Sequence, residues 1–360
     1  MKILFICGST GRGHDGVGDY TRRLCAELIR RGEKIQILSL YDNQTTTFSN
    51  EDQEVLEIKV RVHRIPISSS SSQRFVWSQG LIDIFKPDWI SLQFVPYSYN
   101  LKGLPFWLPS FLKKLQGQHK WHIMFHELWL GIDIESSFKH KCIGKLQQII
   151  VKKIVCTIKA KSINTQNKLY QFFLQSNNIN AEVLPICGNI SPENVKNEVR
   201  QHTQFILFGT IHGGAPFHDF VVDLKRRSNT FIKPLKIVFI GKNGSLLSDY
   251  TLILDNHNIY YEVLGMQSEK TISQALVDSD FGISTTPYYQ TEKSGVYAAY
   301  REHQINIISV ARKWTPTKGQ YEIPQIIEYK KNELNLDKVN FECFDLNSMV
   351  TQFIKSITTV

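Results

Sequence analysis

"MKILFICGSTGRGHDGVGDYTRRLCAELIRRG", residues 1–32, decides how the rest of the chain is read. Its apolar run at 2–7, "KILFIC", has the length of one buried strand. It is too short for a membrane span or for the apolar region of a signal peptide. Residues 19–32, "DYTRRLCAELIRRG", carry apolar positions at helical spacing up to a stop at Gly32. Between them lies a loop in which Gly11, Gly13 and Gly16 spell G-x-G-x-x-G. Strand, glycine loop and helix in that order open a Rossmann-like unit. In such a unit backbone N–H groups and the positive end of a helix dipole receive a phosphate.

The motif invites a dinucleotide, but its spacing argues against one. A nicotinamide site needs its first glycine almost directly after the strand, and an acid closing the second strand about 20 residues on. Here the motif starts three residues after Gly8, and the candidate acid, Asp42, lies 31 residues beyond Gly11. Gly16 and Gly18 read as the turn that opens the helix. The loop suits any diphosphate, and a dinucleotide-dependent oxidoreductase stays as an alternative.

Outward from this opening the alternation continues. Strands are predicted at 34–40 ("KIQILSL") and, with strict alternation, at 58–65 ("IKVRVHRI"). "SSSSSQ" (68–73) reads as a mobile loop or a helix entry, and residues 78–94 as a helix, a stop at Pro87 and a strand. A helix at 104–117, a strand at 121–127, a long basic helix at 137–159 and short strands in "SINTQ" and "AEVLPI" complete a first unit. "CGNISPEN" (187–194) has the composition of a hinge. The pattern then restarts with a strand at 204–209, a helical region to about 230, strands at 235–244 and 259–265, a helix and strand within 271–285, and a strand at 305–310. A last helix is expected in "DLNSMVTQFIKSI". The expectation is α/β: two doubly wound Rossmann-like domains, 1–190 and 191–345, with a helix at 346–360 returning to the first. Their crevice, beyond the carboxyl ends of the strands, is the default active site.

Composition narrows the class. The chain has 360 residues and 42% hydrophobic content, and no stretch approaches a membrane-spanning length. Cys7, Cys25, Cys142, Cys156, Cys187 and Cys343 are scattered without C-x-x-C or zinc spacing, which fits reduced thiols in a cytoplasmic protein. Net charge is +9. The first 190 residues hold 24 Lys+Arg against 15 Asp+Glu, and the remainder holds 18 of each. That asymmetry points to an anionic partner: a membrane surface at the inner face of the plasma membrane, or an anionic acceptor. Nucleic acid is not expected, because no recognisable module interleaves basic residues with exposed aromatics.

Four stretches resemble the family-4 retaining glycosyltransferases of the GT-B fold. They are the opening stretch at 8–38; "PDWISLQFVPY" with "MFHELW"; "FILFGTIHGG"; and "LVDSDFGISTTPYYQTEKSGVYAAYREH". The last is similar to that family's nucleotide-sugar segment, and "KSGVYAAY" resembles a bacterial branch that assembles cell-surface and extracellular polysaccharide. The resemblance implies transfer of a hexose from a nucleotide sugar, with a UDP-hexose favoured as substrate and no cofactor. The acceptor is a lipid-linked or growing polysaccharide.

The resemblance also implies a site. Glu292 holds donor-sugar hydroxyls and Lys293 meets the charge on the leaving diphosphate. Ser294, Gly295 and Val296 offer N–H groups at a helix start. His126 ends the fifth strand and contacts the sugar through its ring or its carbonyl. Gly16 and Val17 reach the diphosphate, and Asp19 reaches a hydroxyl. Gly209, Thr210 and His212 line the lower side, while Gly265 and Met266 meet the base. The sequence departs from the family where a second glutamate is usual: Tyr300 or Ala299 stands there, with Glu302 as a substitute. "GTIHGG" lacks the usual Arg and Lys, which puts more weight on Lys293. The missing glutamate also motivates a non-catalytic binding protein as an alternative. No metal is expected: "DSD" (278–280) precedes a strand and is placed on the far side of its unit.

Overall fold

A computed structural model describes residues 1–11, 16–188, 190, 192, 201–323, 326–337 and 344–359. Gly13 of the glycine motif and half of the predicted hinge (189, 191, 193 and 194) lie outside them. The chain divides into two compact units. Unit 1 is Met1–Pro185 with Pro316–Gly319 and Leu346–Val360; unit 2 is Ile186–Thr315 with Gln320–Asp345.

Unit 1 begins with β1 (Lys2–Cys7), α1 (Gly16–Arg30), β2 (Lys34–Asp42), β3 (Ser49–Val55), β4 (Ile58–Pro66), α2 (Ser71–Phe85) and β5 (Trp89–Phe94). It continues with α3 (Leu108–Lys114), β6 (Lys120–Phe125), α4 (Phe138–Ile158), β7 (Ser162–Thr165), α5 (Lys168–Gln175) and β8 (Glu182–Val183). The sheet runs β3-β4-β2-β1-β5-β6-β7-β8, parallel except for the β3–β4 hairpin. Strand order therefore reverses between β1 and β5. Every residue of β5 is buried, as a strand covered on both faces requires.

Unit 2 comprises β9 (Thr203–Phe208), α6 (Phe217–Arg226), β10 (Leu235–Ile240), α7 (Leu247–Asn256), β11 (Tyr260–Gly265) and α8 (Glu269–Val277). After these come β12 (Phe281–Ser284), a 3-10 turn at Tyr288–Lys293, α9 (Gly295–Glu302), β13 (Asn306–Ser309) and β14 (Ile326–Glu328). Its parallel sheet runs β11-β10-β9-β12-β13-β14 and reverses between β9 and β12. Alternation along β9 splits the core: Phe205 and Leu207 pack on one face with Phe217, Phe220 and Phe239. Ile206 packs on the other with Val238, Ile240 and Tyr300. The last helix, α10 (Leu346–Thr358), lies in unit 1, where the Phe353 ring sits 5.7 Å from Phe5 and 5.2 Å from His122. Pro316–Gly319 joins that unit through a bond from Thr317 N–H to the Ile132 carbonyl at 2.7 Å.

Four elements exceed those expected from periodicity. β3, "SNEDQEV", is a polar edge strand turned back at Leu56 and Glu57, both at positive φ. α5 is a short helix capped by Asn167, α7 buries only Tyr250 and Leu254 among its described residues, and β14 has three residues. The serine run is a helix entry. Ser70 and Gln73 form a reciprocal capping box, so α2 starts at Ser71 rather than Ser78. The helical region expected up to about residue 230 shrinks to α6, since Gly214 at positive φ and Pro216 keep the preceding loop out of a helix.

Candidate functional site

One polar site follows from how β9 and β12 separate. The two strands pair only at Phe205 with Phe281 and Ile206 with Gly282. Beyond that point the Tyr300 hydroxyl fills the gap, accepting from Phe208 N–H at 2.9 Å and standing 3.1 Å from the carbonyls of Ile206 and Ile283. Gly282 makes room for the ring: a Cβ there would come within 2.8 Å of it. Tyr300 therefore completes the sheet from within α9 and does not face a ligand. Burial pushes its hydroxyl pKa well up. Glu302 is also committed, its Oε1 accepting from Gly188 N–H at 2.5 Å. Neither residue stands in for the family's second glutamate.

Where the strands part, a cavity of about 360 Å³ opens at their carboxyl ends. Leu207, Phe208 and Ile283 form its apolar floor, and Thr210, Ser284, Thr285, Thr286 and Ser294 supply hydroxyls. His212, Gly295 and Val296 complete it, and among the described residues no carboxylate lines it. Ser294 is the N-cap of α9 but its side chain makes no capping bond, so the first N–H groups of the helix are left to the cavity side. Gly209, at φ 77°, lets the loop after β9 turn against the helix start, where a Cβ would lie 3.1 Å from Val296 Cγ2. Thr285 fixes that loop: its Oγ1 accepts from His212 N–H at 2.9 Å and donates to the Thr210 carbonyl at 3.4 Å. This is the switch point of a doubly wound sheet, floored by apolar groups and rimmed by donors.

The structure thus brings together Thr210, His212, Ser294, Gly295 and Val296, with Gly209 behind them. Glu292 and Lys293 stand just before the helix start and do not line the cavity. The Glu292 carboxylate accepts from the Tyr321 hydroxyl at 2.6 Å. Gly265 ends β11 at the sheet edge and Met266 follows it. The Gly265 carbonyl accepts from Gly241 N–H, and Met266 is 75% exposed. Sequence reasoning missed Ser284, Thr285 and Thr286. The run "ISTTP" directly after a predicted strand was the available signal. In "DSD", Asp280 Oδ2 accepts from Gln204 N–H at 3.0 Å and Asp278 from the Gln274 amide at 2.9 Å. Both precede β12, at the end opposite the cavity. No group of three or more metal-ligating side chains exists among the described residues.

In unit 1 the described loops at the equivalent point approach each other closely. A Cβ on Gly8 would lie 2.5 Å from the Ser98 carbonyl oxygen, and one on Gly18 would lie 2.6 Å from that of Ser9. These close approaches, and not Gly16, demand glycine; Gly16 meets nothing within 4 Å. Val17 accepts from Thr21 Oγ1 at 2.7 Å and Asp19 pairs with Arg22. Asp42 is spoken for. It accepts from Arg64 at 2.9 and 3.0 Å, from Ser39 Oγ at 2.7 Å and from Gln44 N–H at 2.8 Å. Burial would raise its pKa, yet these partners hold it below the ordinary carboxylate value. That leaves it unable to serve a ribose, which removes the residue on which a dinucleotide site would rest.

His126 is buried and both ring nitrogens are occupied. Gln166 Nε2 donates to Nδ1 at 2.7 Å, and Nε2–H donates to Gln93 Oε1 at 2.8 Å. The chain continues from Gln93 to Ser91 at 2.8 Å, from Ser91 to His122 Nδ1 at 2.8 Å, and from His122 Nε2 to Asn164 Oδ1 at 2.9 Å. Both imidazoles are therefore neutral with a fixed tautomer. Burial, then the neighbouring His122, pushes His126 down to about 3; burial pushes His122 to about 4 against the opposing Asn164 bond. The ring nitrogens of His126 are thus engaged inside unit 1, and of the two expected routes the backbone carbonyl is the one these bonds leave open.

Two parallel Rossmann-like sheets in tandem define the GT-B fold. Solved structures of this shape span nearly the whole chain at low identity. The Anabaena Alr3699/HepE protein in complex with UDP has a TM-score of 0.64 at 10% identity, covering 100% of both chains. A glycosyltransferase from Rickettsia africae gives 0.55 at 11%, covering 99% of this chain and 88% of its own. UDP-GlcNAc 2-epimerase from Methanocaldococcus jannaschii gives 0.57 at 11%, covering 100% of both. No family model and no curated protein matches the sequence.

Proposed function

We propose that this protein is a retaining, metal-independent glycosyltransferase that takes a hexose from a UDP-sugar and passes it to a lipid-linked or growing polysaccharide acceptor. The observation that carries this reading is the carboxylate-free cavity at the β9/β12 switch point, which ends on the N-terminus of α9. Free N–H groups, hydroxyls and an adjacent lysine suit a diphosphate and gain strength as it accumulates negative charge. A titrating carboxylate would oppose it. Similarity of shape to a protein solved with UDP supports the choice of nucleotide. In this account Lys293 acts on the leaving diphosphate and Glu292, steadied by Tyr321, on sugar hydroxyls. Gly265 and Met266 lie toward the base. Gly16 and Val17 reach the diphosphate, Asp19 and the His126 carbonyl serve the sugar and acceptor, and a lipid-linked acceptor brings the protein to the cytoplasmic membrane face.

The test has two stages. UDP and UDP-hexoses should raise the melting temperature with or without EDTA, by about 2.7 kcal/mol of stability at 100 times Kd. NADH should leave it unchanged. Labelled UDP-hexose with a glycan acceptor should then give a product of retained anomeric configuration, and Lys293→Ala should cut turnover about 10²-fold with a smaller change in donor binding. Loss of the shift in EDTA removes metal independence. An inverted product removes retention, and epimerised UDP-sugar without transfer assigns the fold's other chemistry.

A further inference from the structure

The long helix α4 has two unlike faces. Gly144, Gln147, Ile150, Val151, Ile154 and Ile158 are buried. The rotation is fixed, because a Cβ on Gly144 would fall 1.9 Å from the Leu130 carbonyl oxygen. At about 100° per residue, Phe138, Cys142, Ile149 and Cys156 fall within about 40° of one line on the opposite side. Phe138 is 83% exposed and Ile149 58%, and both cysteines are exposed. Lys145 and Lys152 flank that line on one side, Leu146 and Lys153 on the other, all exposed. The helix with its C-cap carries Lys139, Lys141, Lys145, Lys152, Lys153 and Lys159 and not one Asp or Glu. On its buried face Gln147 ties it to the loop before α3 by donating to the Gly103 carbonyl at 3.0 Å. That loop exposes Leu101 at 80% and Phe106 at 56%, along with Lys102.

Large apolar side chains standing in water cost free energy, and a contiguous set of them on a monomer marks a surface that meets something. A row of Phe, Leu and Ile bordered by lysines has the amphipathic pattern of a helix lying in the plane of a bilayer interface. Its rings and aliphatic chains reach below the headgroups while the ammonium groups stay among the phosphates. The helix packs on its own unit by the opposite face, so nothing has to unfold. We infer that the exposed face of α4 is a docking surface for an anionic lipid bilayer. Docking combines insertion of Phe138, Leu146 and Ile149 with attraction of the lysines. Charge alone would give binding that salt abolishes, whereas insertion leaves a residue that salt does not remove. Among the described residues no helix is long and apolar enough to cross a membrane, so the contact is with the surface.

The experiment is flotation of the full chain with vesicles of phosphatidylcholine containing 30% phosphatidylglycerol, and with pure phosphatidylcholine, at low and high salt. The protein should float with the anionic vesicles and weaken, without vanishing, in high salt. Lys145→Glu with Lys152→Glu should lower partitioning about 30-fold. Phe138→Ser with Ile149→Ser should lower it tenfold or more and abolish the salt-resistant fraction. Because all four residues are exposed, both variants should melt within about 2 °C of wild type and titrate UDP unchanged. The surface and the nucleotide reading therefore fail separately. Binding to neither vesicle, equal binding to both, or an undiminished Phe138→Ser, Ile149→Ser variant overturns the inference. So does a concentration-dependent dimer that this variant abolishes, which would assign the face to a second copy of the chain.

Discussion

The two sheets reverse strand order in the same way, yet the described residues at the two reversals are used differently. In unit 1 the loops after β1 and β5 are pressed together at Gly8 and Ser98. Behind them a buried line of neutral side chains runs from Gln166 through His126, Gln93, Ser91 and His122 to Asn164. In unit 2 the strands separate after two paired positions, one tyrosine hydroxyl fills the missing ladder, and the space above it is rimmed by hydroxyls and a helix N-terminus. Topology says where a ligand would bind; the residues at the reversal decide whether one can. Unit 1 joins its buried polar side chains to one another, and unit 2 uses Thr285 to fix a loop while the Ser294 side chain leaves the start of α9 uncapped.

The same substitution should therefore act oppositely at the two places. Gly8→Ala drives a methyl group into the Ser98 backbone and should lower stability by about 2–3 kcal/mol in denaturant titration. Gly295→Ala meets nothing within 4 Å and improves helix propensity, so it should cost nothing or add up to about 1 kcal/mol. Equal effects would break the contrast. A finer probe is Gly295→Pro. Proline is accepted at the first helical position, and Ser294 already has the extended backbone that must precede it (φ −84°, ψ 129°). Stability should hold while UDP affinity falls about tenfold, since one N–H donor is lost. Unchanged affinity would take the α9 terminus out of the site.

A third probe of the contrast is pH. His126 and His122 have folded pKa values near 3 and 4, below the unfolded value of about 6.5. The unfolded chain binds their protons first. Their contribution is complete above pH 6.5 and is lost as pH falls toward 4 and then 3. Over that window stability should drop by up to about 1.4 kcal/mol per pH unit for each histidine. His126→Gln should remove one share of that slope, measured by denaturant titration at pH 4.5, 5.5 and 7. An unchanged slope would mean that the ring is not held neutral.

Much of the architecture is legible in sequence because buried parallel strands such as "KILFIC" and "WISLQF" are continuous apolar runs. β3 and β14 escape notice because an edge strand needs only one apolar face, and three residues make no period. At the site, the helix start at Ser294–Val296 and the loop at Thr210–His212 are readable from motif order. The roles of Tyr300, Glu302 and Asp42 are not readable, because each is settled by a partner distant in sequence: Phe208, Gly188 and Arg64. A carboxylate or hydroxyl looks available in sequence until its partner is found.

Hydrogen–deuterium exchange with and without UDP tests the central claim most directly, since it reports on backbone N–H groups in both units at once. UDP should slow exchange at Ser294–Val296 and at Thr210–His212, and leave the segment after β1 unprotected in the absence of a sugar. Protection confined to that segment, or no protection at the start of α9, would contradict the account.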